Sequence, residues 1–206
     1  KAQVQEGQVM LTEQEQFWKG EFGDQYVGRH KELDWRARVP FWRDIIDRTK
    51  AKSILEVGCN VGANLKAIRA VDPMIAAWGC DINQAALQEA ADAGLSVVEV
   101  SVFDLKRVWL RERFDLVVTV GVLIHVAPAD LYDAMGSIIS ASSRYVLAVE
   151  YADEQTVEVE YRGHAERLWR RPFGKLYEAK GLKIVAEFDA PADAFDRCRA
   201  FLCEKA

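Results

Sequence analysis

No apolar run in this chain approaches the roughly 18 residues needed to cross a bilayer, and the N-terminal stretch is polar, without the apolar centre of a secretion signal. The expectation is a cytoplasmic protein without a helical membrane span. A basic excess is also missing: 27 Lys and Arg stand against 32 Asp and Glu, a formal net charge of -5, which argues against a nucleic-acid binder. The 4 cysteines, at 59, 80, 198 and 203, make no Cys-x-x-Cys pair, and the 3 histidines do not stand at metal-ligand spacing, so no metal site is expected. Free thiols suit a reducing compartment, and Cys59 and Cys80 read as small buried side chains. Repeats and low-complexity linkers are absent. At 206 residues, half of them apolar, the chain suits one domain with a substantial core.

What is present is concentrated in Ile54-Leu55-Glu56-Val57-Gly58-Cys59-Asn60-Val61-Gly62-Ala63-Asn64, where an apolar run ends in an acid and turns through glycines into a helix. Gly58 and Gly62 let backbone approach a ligand, and the helix that follows offers free N–H groups. A dinucleotide fingerprint requires glycine at 60 and favours one at 63, where this chain has Asn60 and Ala63. Glu56 would crowd a diphosphate, yet it suits the ammonium of an amino acid. S-adenosylmethionine fits better than a dinucleotide, with Asn64 on the same turn.

Strands then alternate with helical patterns at 63 to 71, 83 to 93, 105 to 112 and 129 to 140, which predicts a mostly parallel α/β sheet. Ile75 to Cys80 reads as the second strand, ending at Asp81 and Ile82, where a carboxylate reaches a ribose diol. Val97 to Val100 leads to Phe103 and Asp104, a wall and an acceptor for adenine. Phe114 to Val120 opens into Gly121-Val122-Leu123-Ile124-His125, with Val120 at the cofactor. Tyr145 to Glu150, a helix at 172 to 180, Lys183 to Phe188 and Arg199 to Glu204 complete the sheet.

Upstream, Thr12 to Lys19 and Trp35 to Thr49 read as helices of a cap covering residues 1 to 50, with a core over 51 to 206. Phe41, Trp42, Ile45 and Ile46 share one helical face. Trp18, Tyr26 and Arg29 form an aromatic and cationic cluster that either packs the surface or closes over the cofactor, with Arg29 on its carboxylate.

Phe17-Trp18 with Glu21-Phe22-Gly23-Asp24-Gln25-Tyr26, the Leu55-to-Asn60 turn, Gly121 to His125, and Val157-Glu158-Val159-Glu160-Tyr161-Arg162-Gly163-His164 together resemble the methylases associated with pseudaminic acid biosynthesis. The resemblance covers residues 15 to 205, and its most specific part is the Tyr-Arg-Gly-His segment. It implies a Rossmann-like class I methyltransferase: S-adenosylmethionine as cofactor, a seven-stranded sheet ordered 3-2-1-4-5-7-6 with the last strand antiparallel, and an acceptor related to nonulosonic sugars.

Methyl transfer is an in-line displacement, so an enzyme contributes chiefly by positioning. His125, after strand four, has an ordinary pKa of about 6.5 and suits a general base, or it orders the loop. The long connection 151 to 175 reads as a substrate element. Acids lead it, and Arg162, His164, Arg167, Arg170, Arg171 and Lys175 follow, which points to an anionic acceptor held by Glu150, Tyr151, Tyr161, Arg162, His164, Arg167 and Arg170. The bland alternative is a solvated helix with pairs such as Glu166 with Arg170. A nicotinamide oxidoreductase and a non-catalytic cofactor-binding module remain as rivals. Oligomeric state and the methylated atom, oxygen or nitrogen, are open.

Overall fold

The computed structural model describes residues 11–30, 33–108 and 113–205. In chain order, helices α1 (Glu13–Lys19) and α2 (Glu21–His30) lead through a short 3-10 turn, Trp35–Arg38, into α3 (Val39–Thr49). Then come β1 (Ser53–Val57), α4 (Ala63–Val71), β2 (Ala76–Asp81), α5 (Gln84–Asp92), β3 (Ser96–Glu99), α6 (Leu105–Val108) and β4 (Phe114–Val120). A second 3-10 turn, Leu123–His125, precedes α7 (Leu131–Ala141), β5 (Ser142–Glu150), β6 (Val157–Glu158) and β7 (Trp169–Arg170). Helix α8 (Phe173–Ala179), β8 (Leu182–Asp189), α9 (Ala192–Phe195) and β9 (Arg199–Lys205) close the chain.

The main sheet runs β3-β2-β1-β4-β5-β9-β8, with β9 antiparallel to both neighbours. This is the expected order; the strand numbers differ because β6 and β7 pair separately as a short ribbon. Parallel strands covered on both faces read as continuous apolar runs, and β1 is buried at Ile54, Leu55 and Val57 for that reason. One face packs on Met135, Ile138, Phe173 and Tyr177, and the other on Phe41, Trp42, Ile45, Ala67 and Ile68. The face expected of Phe41, Trp42 and Ile45 is therefore core.

Helix α1 starts with a capping box in which Thr12 Oγ1 accepts from the Glu15 N–H at 3.1 Å and Glu15 Oε2 accepts from the Thr12 N–H at 2.7 Å. Helix α2 was not expected, because Gly23 and Gly28 lower its local propensity. Packing makes it: a Cβ on Gly23 would overlap the Trp18 carbonyl, so only glycine lets α2 sit this close to α1. Asn83 then ties both to the core, donating to Trp18 O at 3.1 Å and Asp24 Oδ1 at 2.9 Å. The expected frayed segment at 1 to 10, and 109 to 112 of the helix expected at 105 to 112, lie outside the described residues. No helix among the described residues is long and apolar enough to cross a membrane.

The connection after β5 is not a solvated helix. Val157 pairs with Arg170 and Glu158 with Trp169, and Tyr161 and His164 exchange backbone hydrogen bonds of 2.9 and 3.0 Å around Arg162 (φ 53°) and Gly163 (φ 82°). Two successive positive φ values define the two-residue hairpin turn matched to strand twist, so Tyr-Arg-Gly-His is a tight turn. Glu166 and Arg170 do not form the intrahelical pair of the bland alternative; Arg170 reaches Asp153 at 3.3 Å.

Candidate active site

A cavity of about 570 Å³ opens beyond the carboxyl ends of β1, β2, β4 and β5, roofed by α1 and α2. That volume lies within the ordinary range for a small-molecule site. The turn after β1 shapes its floor. Gly58 has φ 72°, and a Cβ there would overlap the Val122 side chain. Asn60 takes φ 46° where a dinucleotide motif has glycine; asparagine is the side chain that adopts this left-handed conformation most readily. Gly58→Ala is expected to cost about 2 kcal/mol or more and to close the crevice, read as a lower urea midpoint together with lost ligand binding.

Glu56, 2% exposed, is held at one oxygen only: Oε1 accepts from Asn64 Nδ2 at 2.5 Å, and Oε2 has no partner. Asn64 Oδ1 in turn accepts from Arg38 Nη1 at 2.8 Å and Trp42 Nε1 at 3.1 Å, while Arg38 Nε is buried without a partner. Burial pushes the Glu56 carboxyl up to about 8, against the opposing pull of the Asn64 bond and the Arg38 charge, and burial lowers Arg38. An acceptor and a donor are thus left open on one buried chain of side chains, the complement of an amino acid's ammonium and carboxylate. Beside them, Asp81 takes the Asn60 N–H at 2.9 Å and the Asn83 N–H at 3.0 Å, which fixes its carboxylate at the rim of the cavity.

Two buried ions build the loop after β4. Glu150, fully buried, accepts from the N–H groups of Val122 (3.2 Å), Leu123 (3.1 Å) and Ile124 (3.3 Å). Arg171, also fully buried, donates to the carbonyls of Leu123 and Val126. Together they grip both ends of the turn that carries His125. Burial raises Glu150 to about 7, and its bonds to the loop N–H groups oppose that rise.

His125 Nδ1 lies 2.6 Å from the Arg167 carbonyl. A carbonyl only accepts, so Nδ1 carries the hydrogen and Nε2 keeps its lone pair. Burial, with the Arg171 charge adding to it, holds the imidazole down to about 4. Charging the ring inside this pocket loses hydration, so it stays neutral near pH 7, which weighs against the general-base reading of His125 and toward the one in which it orders the loop.

Trp18, Tyr26, Glu56, Gly58, Asn60 and Asn64 line the cavity. So do Asp81, Ile82, Phe103, Val120, His125, Tyr151, Tyr161 and Arg162. The remaining expected residues do not. Arg29 stacks over Phe22 and Tyr26, each at 5.6 Å, and the arginine on the lining beside Glu56 is Arg38. Gly62 caps α4, and Asp104 lies off the lining, where Ser101 and Val102 stand beside Phe103. Glu150 is spent on the loop, and His164 packs against Phe17 and Phe22. Arg167 stacks over Phe17 at 5.1 Å and pairs with Glu13 at 3.7 Å, and Arg170 pairs with Asp153. Sequence reasoning missed Arg38, Arg171 and the Tyr151 hydroxyl donating to Asp196. Arg38 carried one signal, its place a helical turn ahead of buried Trp42. No group of His, Cys, Asp and Glu able to hold a metal occurs among the described residues.

The sheet order and the crevice at the strand ends define the class I methyltransferase fold. Residues 55–141 match the family model described as a methyltransferase domain. Fold and domain match together support an enzyme that uses S-adenosylmethionine, and the nicotinamide alternative is set aside. Comparison with curated proteins returns no match. Among solved structures, magnesium protoporphyrin IX methyltransferase from Synechocystis superposes with a TM-score of 0.68 at 13% identity, covering 93% of this chain and 98% of that one. A sugar N-methyltransferase from Streptoalloteichus gives 0.66 at 16%, covering 100% and 99%, and human N-acetylserotonin methyltransferase 0.69 at 16%, covering 96% and 60%.

Proposed function

We propose that the protein methylates oxygen or nitrogen of a small, sugar-like acceptor that carries an acidic group, of the nonulosonic or nucleotide-sugar kind. The observation that carries this reading is the hairpin tip: of the arginines in the insert, Arg162 is the one that lines the cavity. A guanidinium there suits a carboxylate or phosphate. Tyr151 and the carboxylates of Asp193 and Asp196, also on the lining, offer the hydrogen-bonding groups that a polyhydroxylated ring needs. A sugar N-methyltransferase among the structural neighbours and the resemblance carried by Tyr161-Arg162-Gly163-His164 point the same way.

In this reading Glu56 and Arg38 hold the amino-acid end of the cofactor, Asp81 its ribose and Phe103 its adenine. The cofactor supplies an electrophilic methyl group on a cationic sulfur. The chain supplies the orientation: His125 Nε2 accepts a hydrogen bond from the acceptor, and α1 and α2 exclude water.

Incubation with S-adenosylmethionine and a panel of nonulosonic acids, their nucleotide-activated forms and precursor amino sugars is expected to give one product heavier by a methyl group. Arg162→Gln is expected to raise the acceptor KM about tenfold while the cofactor Kd stays put, since one charge-assisted bond is lost. An unchanged acceptor KM would remove the acidic group from the reading.

A further inference from the structure

We propose that Trp18, Tyr26, His125 and Tyr161 form a cup that receives an amino nitrogen of the acceptor, so that nitrogen is the atom methylated. This rests on the methyltransferase reading above and narrows it from two acceptor atoms to one. The four rings come from α1, α2, the loop after β4 and the hairpin turn, and all line the cavity. Trp18 lies 4.5 Å from His125 and 6.2 Å from Tyr161, and His125 lies 4.9 Å from Tyr161, with interplanar angles of 57°, 41° and 60°. Tyr26 meets Trp18 edge-on at 5.3 Å. Rings tilted to one another and all on the lining of one cavity do not form a stack, and they bring several aromatic surfaces to the same space. Phe17, Phe22 and His164 pack behind them and hold the shape. Trp18 Nε1 is buried with no partner, an open donor beside the cup.

Aromatic faces are electron-rich and attract a cation, more strongly when water is excluded. The charge history of the acceptor atom decides which element such a cup serves. In the transfer an amine's lone pair forms the new N–C bond while the donor's C–S bond breaks with its electron pair going to sulfur. The nitrogen becomes an ammonium and afterwards loses its proton to water. Positive charge therefore grows on nitrogen inside the rings. A hydroxyl needs its proton removed as the bond forms, and burial lowers the basicity of His125, the imidazole on the cavity lining. The same imidazole, with its lone pair at Nε2, can accept an amine N–H and so orient the nitrogen. Arg162, 5.8 Å from the Tyr161 ring, supplies the counterpart for an acidic group on the same molecule. The acceptor class is accordingly an amino sugar acid or a phosphorylated amino sugar.

The test uses the protein saturated with S-adenosylhomocysteine, which fills the cofactor arm, titrated calorimetrically with choline and with its uncharged carbon isostere, 3,3-dimethylbutan-1-ol. Choline is expected to bind about tenfold more tightly than the isostere. Trp18→Leu and Tyr161→Leu should abolish that preference, and Tyr161→Phe, which keeps the ring face, should retain it. Methylated product from an acceptor bearing both amine and hydroxyl groups should carry its new methyl on nitrogen by fragmentation mass spectrometry. Equal binding of choline and the isostere, a preference untouched by the leucine variants, or an O-methyl product would overturn the proposal. Failure to bind S-adenosylhomocysteine at all would instead overturn the underlying reading, and this inference with it.

Discussion

Glu56→Gln is expected to weaken binding of S-adenosylhomocysteine about 100-fold at pH 8.5 while making the ligand-free protein more stable at that pH. Both effects follow from one buried carboxyl with an unpartnered oxygen. Bound to an ammonium, the carboxylate makes a charge-assisted hydrogen bond out of water, and the neutral amide cannot replace it. Without ligand the carboxyl holds its proton to about 8, against an ordinary 4.5 in the unfolded chain. A raised acid pKa means that the folded state binds the extra proton between these values. Its stabilising contribution is complete below pH 4.5 and is lost as pH rises through 8. The amide mimics the protonated acid at every pH, so the variant should gain on the order of 3 kcal/mol relative to wild type between pH 5.5 and 8.5. Glu150, raised to about 7, keeps its own fall in the same direction in both proteins. His125 acts in the opposite window: its lowered pKa gives stability that is lost as pH falls from 6.5 through about 4. Urea titrations at the two pH values and calorimetry with S-adenosylhomocysteine read the effects separately. Equal affinities, or parallel stability curves, would refute the role of Glu56.

Arg171→Leu should be the most destabilising of the conservative-volume changes near the site. The guanidinium is fully buried, and it holds the carbonyls of Leu123 and Val126 while its charge faces Glu150. Removing it leaves the Val126 carbonyl without a donor and the Leu123 carbonyl with only the Val126 N–H at 3.3 Å, and takes a positive charge out of the surroundings of Glu150. Breaking a buried arrangement of this kind costs about 3–5 kcal/mol. For a chain of this size that lowers Tm by about 10 °C. The damage should centre on the turn carrying His125, so faster amide exchange at Leu123 to Val126 is expected together with a fall in kcat larger than any change in cofactor Kd. Arg171→Lys, which keeps the charge and can reach one carbonyl, should lie between the two. A loss under 1 kcal/mol in Arg171→Leu would show that the loop holds itself.

Local signals carried much of the architecture. The helix expected at 63 to 71 and the strand expected at Phe114 to Val120 have the observed bounds, because each couples strong periodicity to a clear stop. The turn from Glu56 to Asn64 was legible for a related reason: a strand, an acid and a glycine turn are neighbours in the chain. Helix α2 was not, since Gly23 and Gly28 weaken it locally and only close packing on α1 restores it. The charge sorting between 151 and 175 misled, because a hairpin sends Arg170 to Asp153 and Arg171 into the core while leaving Arg162 at the cavity.

The amino-acid sequence by itself determined the alternating sheet and the turn from Glu56 to Asn64, because these depend on periodicity and on residues a few positions apart, while the strand order came only from what the family resemblance implies. Tertiary structure alone decided which charges face the ligand. Arg38, Glu150 and Arg171 carry the same charge in any sequence string, and their roles arise only when burial removes water and leaves each to find a partner across the fold. That is why Glu150 became the anchor of a loop, and why Arg38 and not Arg29 lines the cavity.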